Sequence, residues 1–271
     1  TWTQVGPDDV PLQSNGDKRG IGRVNTVAFH PTDANKLFIG APAGGLWKSD
    51  DGGQTWQTST DFLTNLGVSD IAINPNNPDQ IYIITGDRDG GDTYSYGLMK
   101  SLDGGNTFNS TGLSFDVVNQ YKGNRVLINP ANTDIIIVAT SNGIYRSIDA
   151  GNSFIHTYSG INMTDIEFHT TNTSIIYGAS NGNTSIYKSI DNGVAPKQLS
   201  KEFFRQWLIE NNFQGKENQN LPKITDEIVK DVSNRYIELY NKILGLKFDK
   251  SNNTNSINQI EENIIKGLKT L

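Results

Sequence analysis

Cysteine is absent from the 271 residues, so neither a disulfide framework nor a thiolate metal site can be built. Long apolar runs are absent too. None approaches the roughly 18 residues of a membrane-spanning helix. Positive charge is scarce: 23 Lys+Arg stand against 29 Asp+Glu, a net charge of −6 that argues against nucleic-acid binding. Histidine occurs three times, at His30, His156 and His169. Glycine is abundant, but only Gly215, Gly245 and Gly267 of its 27 copies fall after residue 195. The charge splits at the same place. Residues 1–195 hold 11 Lys+Arg and 19 Asp+Glu, net −8; residues 196–271 hold 12 and 10, net +2. Such a shift marks a domain boundary near residue 195. No signal peptide is read at Thr1-Trp2, and a mature secreted form needs none.

What is present is a repeat. Ser49-Asp50-Asp51-Gly52-Gly53-Gln54-Thr55-Trp56 recurs as Ser101-Leu102-Asp103-Gly104-Gly105-Asn106-Thr107-Phe108 and as Ser147-Ile148-Asp149-Ala150-Gly151-Asn152-Ser153-Phe154. A fourth copy begins at Ser189-Ile190-Asp191-Asn192-Gly193 and then breaks off, with Ala195 and Pro196 where the hydroxyl and the ring should stand. The aspartates can accept hydrogen bonds from amides just ahead in a tight turn. Gly53, Gly105 and Gly151 supply positive φ. Thr55, Thr107 and Ser153 can bond back across the turn, and Trp56, Phe108 and Phe154 can bury a ring beneath it. Residues that satisfy one another in this way form a structural staple rather than a catalytic loop.

Around the octets the chain alternates short β-rich runs with Gly/Asn/Asp/Pro punctuation. Val24–Phe29, Ile71–Ile73, Val126–Ile128 and Ile166–Phe168 end at His30, Asn74, Asn129 and His169. A position that accepts either His or Asn is a turn position. Two further runs follow each turn and lead into an octet. The octets start at 49, 101, 147 and 189, giving periods of 52, 46 and 42 residues, the size of a four-stranded propeller blade.

The octet resembles the Asp-box (BNR repeat), which marks β-propeller blades in sialidases, sortilin-type receptors, xyloglucan-degrading hydrolases and secreted bacterial surface proteins. Gly20–Asn25 and Ala41–Lys48 are most similar to the sortilin-like and glycosyl-hydrolase-like secreted propellers of Bacteroidetes. The resemblance implies an incomplete β-propeller of about four blades, the last one truncated, secreted or at the cell surface. An open propeller exposes sheet faces and edges, so a partner is expected to cover its open end. Without that partner, residues 1–195 are expected to aggregate.

The second blade carries an insert, Asp87-Arg88-Asp89-Gly90-Gly91-Asp92-Thr93-Tyr94-Ser95. Asp87, Asp89 and Asp92 alternate around glycine as at the start of a calcium loop, though the closing glutamate is missing. A solvated turn and a carbohydrate contact with Tyr94 and Tyr96 as stacking platforms are the alternatives. The arginines of this part, Arg19, Arg23, Arg88, Arg125 and Arg146, form no recognisable carboxylate-clamping triad with a tyrosine nucleophile. Asp33, Asp70, Asp87, Asp89 and Asp92 have the right type for a paired-carboxylate glycosidase, but spacing does not pair them.

After Pro196 the apolar period changes from two to 3.6. Ser200 can cap a helix with Phe203, Phe204, Trp207 and Leu208 on one stripe. Thr225 can cap a second, with Asp226 and Glu227 in its first turn and Gly245 at its end. Ser256 can start a third. Leu199–Leu208, Phe213–Lys216 and Arg235–Tyr240 resemble the C-terminal end of phosphoribosylaminoimidazole-succinocarboxamide synthase (SAICAR synthase), an ATP-dependent ligase of purine biosynthesis in the cytoplasm. The resemblance covers about 197–271 and places Lys201 and Arg205 near the family's anionic substrate pocket. No counterpart of the family's nucleotide-binding lobe precedes it, so no ATP cofactor is expected.

The sequence thus reads as a mainly β chain: a partial propeller over 1–195, and a three-helix segment over 196–271. The join falls inside a repeat, as in a gene fusion that broke both parents. The expected function is a non-catalytic module that binds carbohydrate or protein. Glycoside hydrolysis and a remnant ligase activity are the alternatives.

Overall fold

The computed structural model describes residues 23–90, 93–181, 185–199, 202–216, 219–244 and 247–248. The chain divides into two compact units, Thr1–Trp207 and Leu208–Leu271.

The first unit is built from four four-stranded antiparallel sheets, each a simple meander. Blade 1 is β1 (Thr26–Phe29), β2 (Leu37–Ala41), β3 (Gly45–Ser49) and β4 (Gln57–Thr58). Blade 2 is β5 (Val68–Ile73), β6 (Ile81–Thr85), β7 (Gly97–Ser101) and β8 (Asn109–Ser114). Blade 3 is β9 (Gly123–Ile128), β10 (Ile136–Thr140), β11 (Gly143–Ser147) and β12 (Ile155–Ser159). Blade 4 is β13 (Asn162–Phe168), β14 (Ile176–Asn181), β15 (Ile186–Ser189) and β16 (Lys197–Gln198). Its closing strand is cut to two residues, and they come from beyond Pro196. The first strands of successive blades touch one another, which makes them the innermost strands. This is the incomplete β-propeller implied by the repeat.

The turn after each first strand is closed by a side chain. Asn74 Oδ1 accepts from the amides of Asn76 and Asn77 at 2.9 and 3.2 Å. His30 Nδ1 does the same for Thr32 and Asp33 at 3.3 and 3.1 Å. Neutral imidazole and carboxamide are interchangeable here because the turn needs only one acceptor.

The cores lie between blades, not within them. Side chains alternate across a strand, so a central strand with a blade on either side serves two cores. Ile81 and Ile83 face Phe38 and Leu46 of blade 1, while Tyr82 and Ile84 face Val126, Ile128 and Val138 of blade 3. In β10, Ile136 and Val138 face blade 2, while Ile137 and Ala139 face Met163, Ile166 and Tyr187 of blade 4. This is why β6 and β10 are unbroken runs of buried residues rather than alternating ones.

In the C-terminal part, α1 (Glu202–Glu210) stacks Phe204 on Trp207 at 5.8 Å between ring centroids. In the second unit, α2 (Asp226–Leu244) follows Thr225, whose Oγ1 accepts from the Ile228 amide at 3.4 Å. Asp226 and Glu227 sit in its first turn, where the helix dipole favours them. The Gln219 side chain ties the preceding loop together. Its Oε1 accepts from the amides of Gln214 and Lys216, and its Nε2 donates to Asn212 O. The expected third helix lies outside the described residues, and no helix among them is long and apolar enough to cross a membrane.

Candidate functional site

Each octet is closed by its own hydrogen bonds. Ser49 Oγ donates to Asp51 Oδ1 at 2.8 Å and accepts from the Gly53 amide at 2.8 Å. Asp51 also accepts from the Thr55 amide at 2.8 Å and from the Thr55 hydroxyl at 2.6 Å. Ser101, Asp103, Gly105 and Thr107 repeat the pattern, as do Ser147, Asp149, Gly151 and Ser153. In the fourth copy Ser189 donates to Asp191 and accepts from Gly193, but only the amides of Val194 and Ala195 replace the hydroxyl partner. The Thr55, Thr107 and Ser153 hydroxyls lead the interactions that hold the carboxyls of Asp51, Asp103 and Asp149 down at about 2. Trp56 Nε1 donates to Gly53 O at 3.0 Å.

The octets also join the blades. Gly105 faces Phe38, Gly151 faces Tyr82, and Gly193 faces Ile137; in each case a β-carbon would sit 3.2–3.3 Å from the preceding blade. The basic residue just ahead of each octet reaches the octet of the next blade. Lys48 Nζ donates to Asn106 Oδ1 at 3.0 Å, Lys100 Nζ to Ala150 O at 2.9 Å, and Arg146 Nε to Asn192 O at 2.8 Å.

The innermost strands carry a different constellation. Four residues ahead of each turn-closing His or Asn stand Thr26, Asp70, Arg125 and Asp165. Thr26 Oγ1 donates to Asp70 Oδ1 at 3.0 Å. Arg125 Nη1 lies 3.4 Å from the same oxygen, and the Val126 amide donates to Asp70 Oδ2 at 2.9 Å. On its other side Arg125 Nε faces Asp165 Oδ1 at 3.3 Å, and Nη2 pairs with Glu167. One side chain from each blade thus forms a polar line along the innermost strands. The Asp70 side chain is 1% exposed, and burial pushes its carboxyl up despite Arg125 and its two hydrogen bonds. Burial would lower Arg125, but Asp70, Glu167 and Asp165 together raise it.

A cavity of about 420 Å³ opens against this line, walled by Arg88, Asp89, Asn124, Arg125, Thr164 and Asp165. The second-blade insert supplies two of those walls. Arg88 Nη2 donates to Asn25 O at 2.7 Å, while the Asp89 side chain is more than half exposed. Asp87 is buried behind them, paired with Arg23 and accepting from the Asp89 amide at 3.1 Å. Burial would raise the Asp87 carboxyl, but the amides of Asp89 and Gly90 and the Arg23 guanidinium bring it down. Asp92 lies outside the described residues. Among those described, no three His, Cys, Asp or Glu gather as a metal-binding group.

Repeat spacing alone does not single out this site. It falls on the insert and on two strands of different blades, β9 and β13. A weak signal existed: a polar residue at a fixed distance from the turn in strands that are otherwise apolar. Tyr94 and Tyr96 do not line the cavity. His156 stacks on Tyr145 at 4.1 Å and bonds Asn142 O. Arg205 stands on α1, exposed. Lys201 lies outside the described residues.

No family model matches the chain. One segment is 60% identical over 76 residues to the phosphoribosylaminoimidazole-succinocarboxamide synthase of Cytophaga hutchinsonii, covering 28% of this chain and 24% of that enzyme. Another is 26% identical over 217 aligned positions to a xyloglucanase of Acetivibrio thermocellus, covering 66% of this chain and 26% of that enzyme. The chain therefore spans about a quarter of either relative. Among solved structures, the GH74 xyloglucanase from Xanthomonas campestris superposes with a TM-score of 0.54 at 18% identity, over 66% of this chain and 31% of that one. An ancestral GH74 enzyme gives 0.54 at 23% identity, over 65% and 24%. These likenesses show the propeller fold. Both segment resemblances read from the sequence hold: one part is similar to GH74-type propellers, the other to the purine enzyme.

Proposed function

We propose that the chain acts through its Asp-box propeller as a non-catalytic binding module, secreted or displayed on the cell surface, with its ligand seated in the cavity beside Arg125. One observation carries this reading: the carboxylates at the cavity are tied to guanidinium groups. Asp165 and Glu167 face Arg125, and Asp89 lies 3.8 Å from Arg88. A paired-carboxylate hydrolase needs one carboxyl held as a neutral acid within reach of a glycosidic oxygen. The carboxyl here with a raised proton affinity is Asp70, and it is out of reach. Alternating donors and acceptors around a polar hollow suit a polyhydroxyl or peptide ligand instead.

The test is a screen of the full chain against oligosaccharides and surface-loop peptides, followed by calorimetry on any hit. Arg88→Ala and Asp165→Ala should each weaken binding about tenfold, the loss expected of one charge-assisted contact. Release of reducing ends from xyloglucan or another glucan, abolished by Asp89→Asn or Asp165→Asn, would overturn the reading in favour of hydrolysis. For the C-terminal unit we propose no ligase turnover of its own. A segment of 76 residues matches a quarter of the synthase, and ATP-dependent ligation by the purified chain would refute that view.

A further inference from the structure

Each blade is a meander, so its octet and its turn-closing His or Asn lie at one end of its strands. The β4–β5, β6–β7 and β8–β9 connections lie at the other. The cavity opens at that second end, where β9 and β13 begin. Asn124 and Arg125 are neighbours in sequence, as are Thr164 and Asp165, yet both members of each pair wall the cavity. A regular strand would turn one of each pair away. The register of β9 against β10, and of β13 against β14, slips at those pairs, and such a bulge re-aims side chains.

The three connections are bonded into one surface. Asn65 Nδ2, from the β4–β5 connection, donates to Tyr94 O of the insert, and the Gly86 amide donates to Gly67 O at 2.9 Å. On the other side the Ser95 amide donates to Tyr121 O at 2.8 Å, and the Phe115 amide to Tyr96 O at 2.9 Å. The outer two connections present apolar side chains to water. Phe62 is 98% exposed, and Val117 and Val118 are 55% and 75% exposed. The two valines are held on one turn of 3-10 helix, Val117–Asn119, whose cap Asp116 accepts from the Val118 amide at 3.1 Å. The insert between these connections supplies Arg88 and Asp89 to the cavity.

Acid is in excess at this end. Arg88 and Arg125 face Asp89, Asp165 and Glu167, all three more than half exposed, with Asp70 buried behind Arg125. On the β4–β5 and β8–β9 connections, Asp61 and Asp116 stand against Lys122. An incoming positive charge is therefore favoured and a polyanion is not. Among the described residues no aromatic ring walls the cavity, so the flat platform that suits a sugar ring is missing there. Exposed phenyl and isopropyl groups on linked loops suit the apolar side chains of a protein.

We propose that the ligand of the cavity, taken as the binding site inferred above, is a segment of another protein that carries a lysine or arginine beside apolar residues. The base is drawn to Asp89 and Asp165, and its apolar neighbours cover Phe62 or the Val117-Val118 pair.

The test is selection of random-sequence peptides, displayed on phage, against the full chain. The expected result is enrichment of Lys or Arg beside Leu, Ile, Val or Phe. A synthetic peptide of the selected sequence is then measured by calorimetry. Replacing its base by Gln should weaken binding about tenfold, and Asp165→Asn in the chain should cost as much. Phe62→Ser combined with Val118→Ser should cost about fivefold. These side chains are exposed, and an unchanged thermal midpoint shows that each variant still folds. Selection that yields no base-enriched sequence, or a peptide indifferent to all these changes, overturns the proposal. So does a neutral oligosaccharide that binds, is weakened by Arg88→Ala and is displaced by no selected peptide. That outcome leaves the cavity as the binding site and changes its ligand. A peptide weakened by Phe62→Ser but not by Arg88→Ala or Asp165→Asn binds outside the cavity, and overturns both readings.

Discussion

Asp70 is a carboxylate taken out of water, and its neighbours decide what a substitution near it does. Arg125 is its charge partner; Thr26 and the Val126 amide complete its shell. Arg125→Met leaves that carboxylate buried without a counter-charge, which should cost about 3 kcal/mol at neutral pH. The sign with pH follows from the raised proton affinity of Asp70. A carboxyl whose folded value lies above its unfolded one weakens the fold as pH rises through that window. The deficit of Arg125→Met should therefore be larger at pH 7 than at pH 4.5, and Asp70→Asn in the same chain should remove most of the pH dependence. Urea titrations at the two pH values decide it; an equal deficit at both would mean that Asp70 does not sense Arg125. The octet aspartates have the opposite sign. Their folded values sit near 2 against an ordinary 3.8. Their contribution is present above about pH 4 and lost as pH falls towards 2. Asp103→Asn should flatten the loss of thermal midpoint between pH 4 and pH 2, and an unaltered slope would show that the octet carboxyl plays no part in acid unfolding.

At the scale of elements, what could be read from the sequence was what is local. Every octet hydrogen bond of Asp51, Asp103 and Asp149 spans two to four residues, so short-range spacing encodes it. The blade period follows for the same reason, because each blade is a meander of neighbours in sequence. The axial line could not be read in this way. Asp70 meets Arg125 across 55 residues, and Arg125 meets Glu167 across 42. Only the closure of three blades brings them together. Two of the fourth strands were also faint, because β4 and β16 are two residues each and carry no period. One local feature still governs a whole blade. Gly143 opens β11 with φ of +125°, and a β-carbon there would lie 1.8 Å from Tyr158 O on β12. Gly143→Ala must both strain the backbone and push β12 away, so a loss of about 3 kcal/mol is expected by denaturant titration. A loss under about 0.5 kcal/mol would mean that the β11–β12 pairing relaxes freely.

Across the whole propeller, stability is distributed by junctions rather than by blades. Blades 2 and 3 are covered on both faces, and their central strands β6 and β10 are buried at every position. Blade 1 is covered on one face, and its first strand is half exposed. In such a near-linear array each unit is held by its neighbours, so opening should begin at the ends and reach the middle last. Amide exchange should accordingly be slowest in Ile81–Thr85 and Ile136–Thr140, and at least about tenfold faster in Thr26–Phe29, a gap of about 1.4 kcal/mol in opening free energy. Equal protection of β1 and β6 would mean that cover on both faces is not what makes the central blades stable.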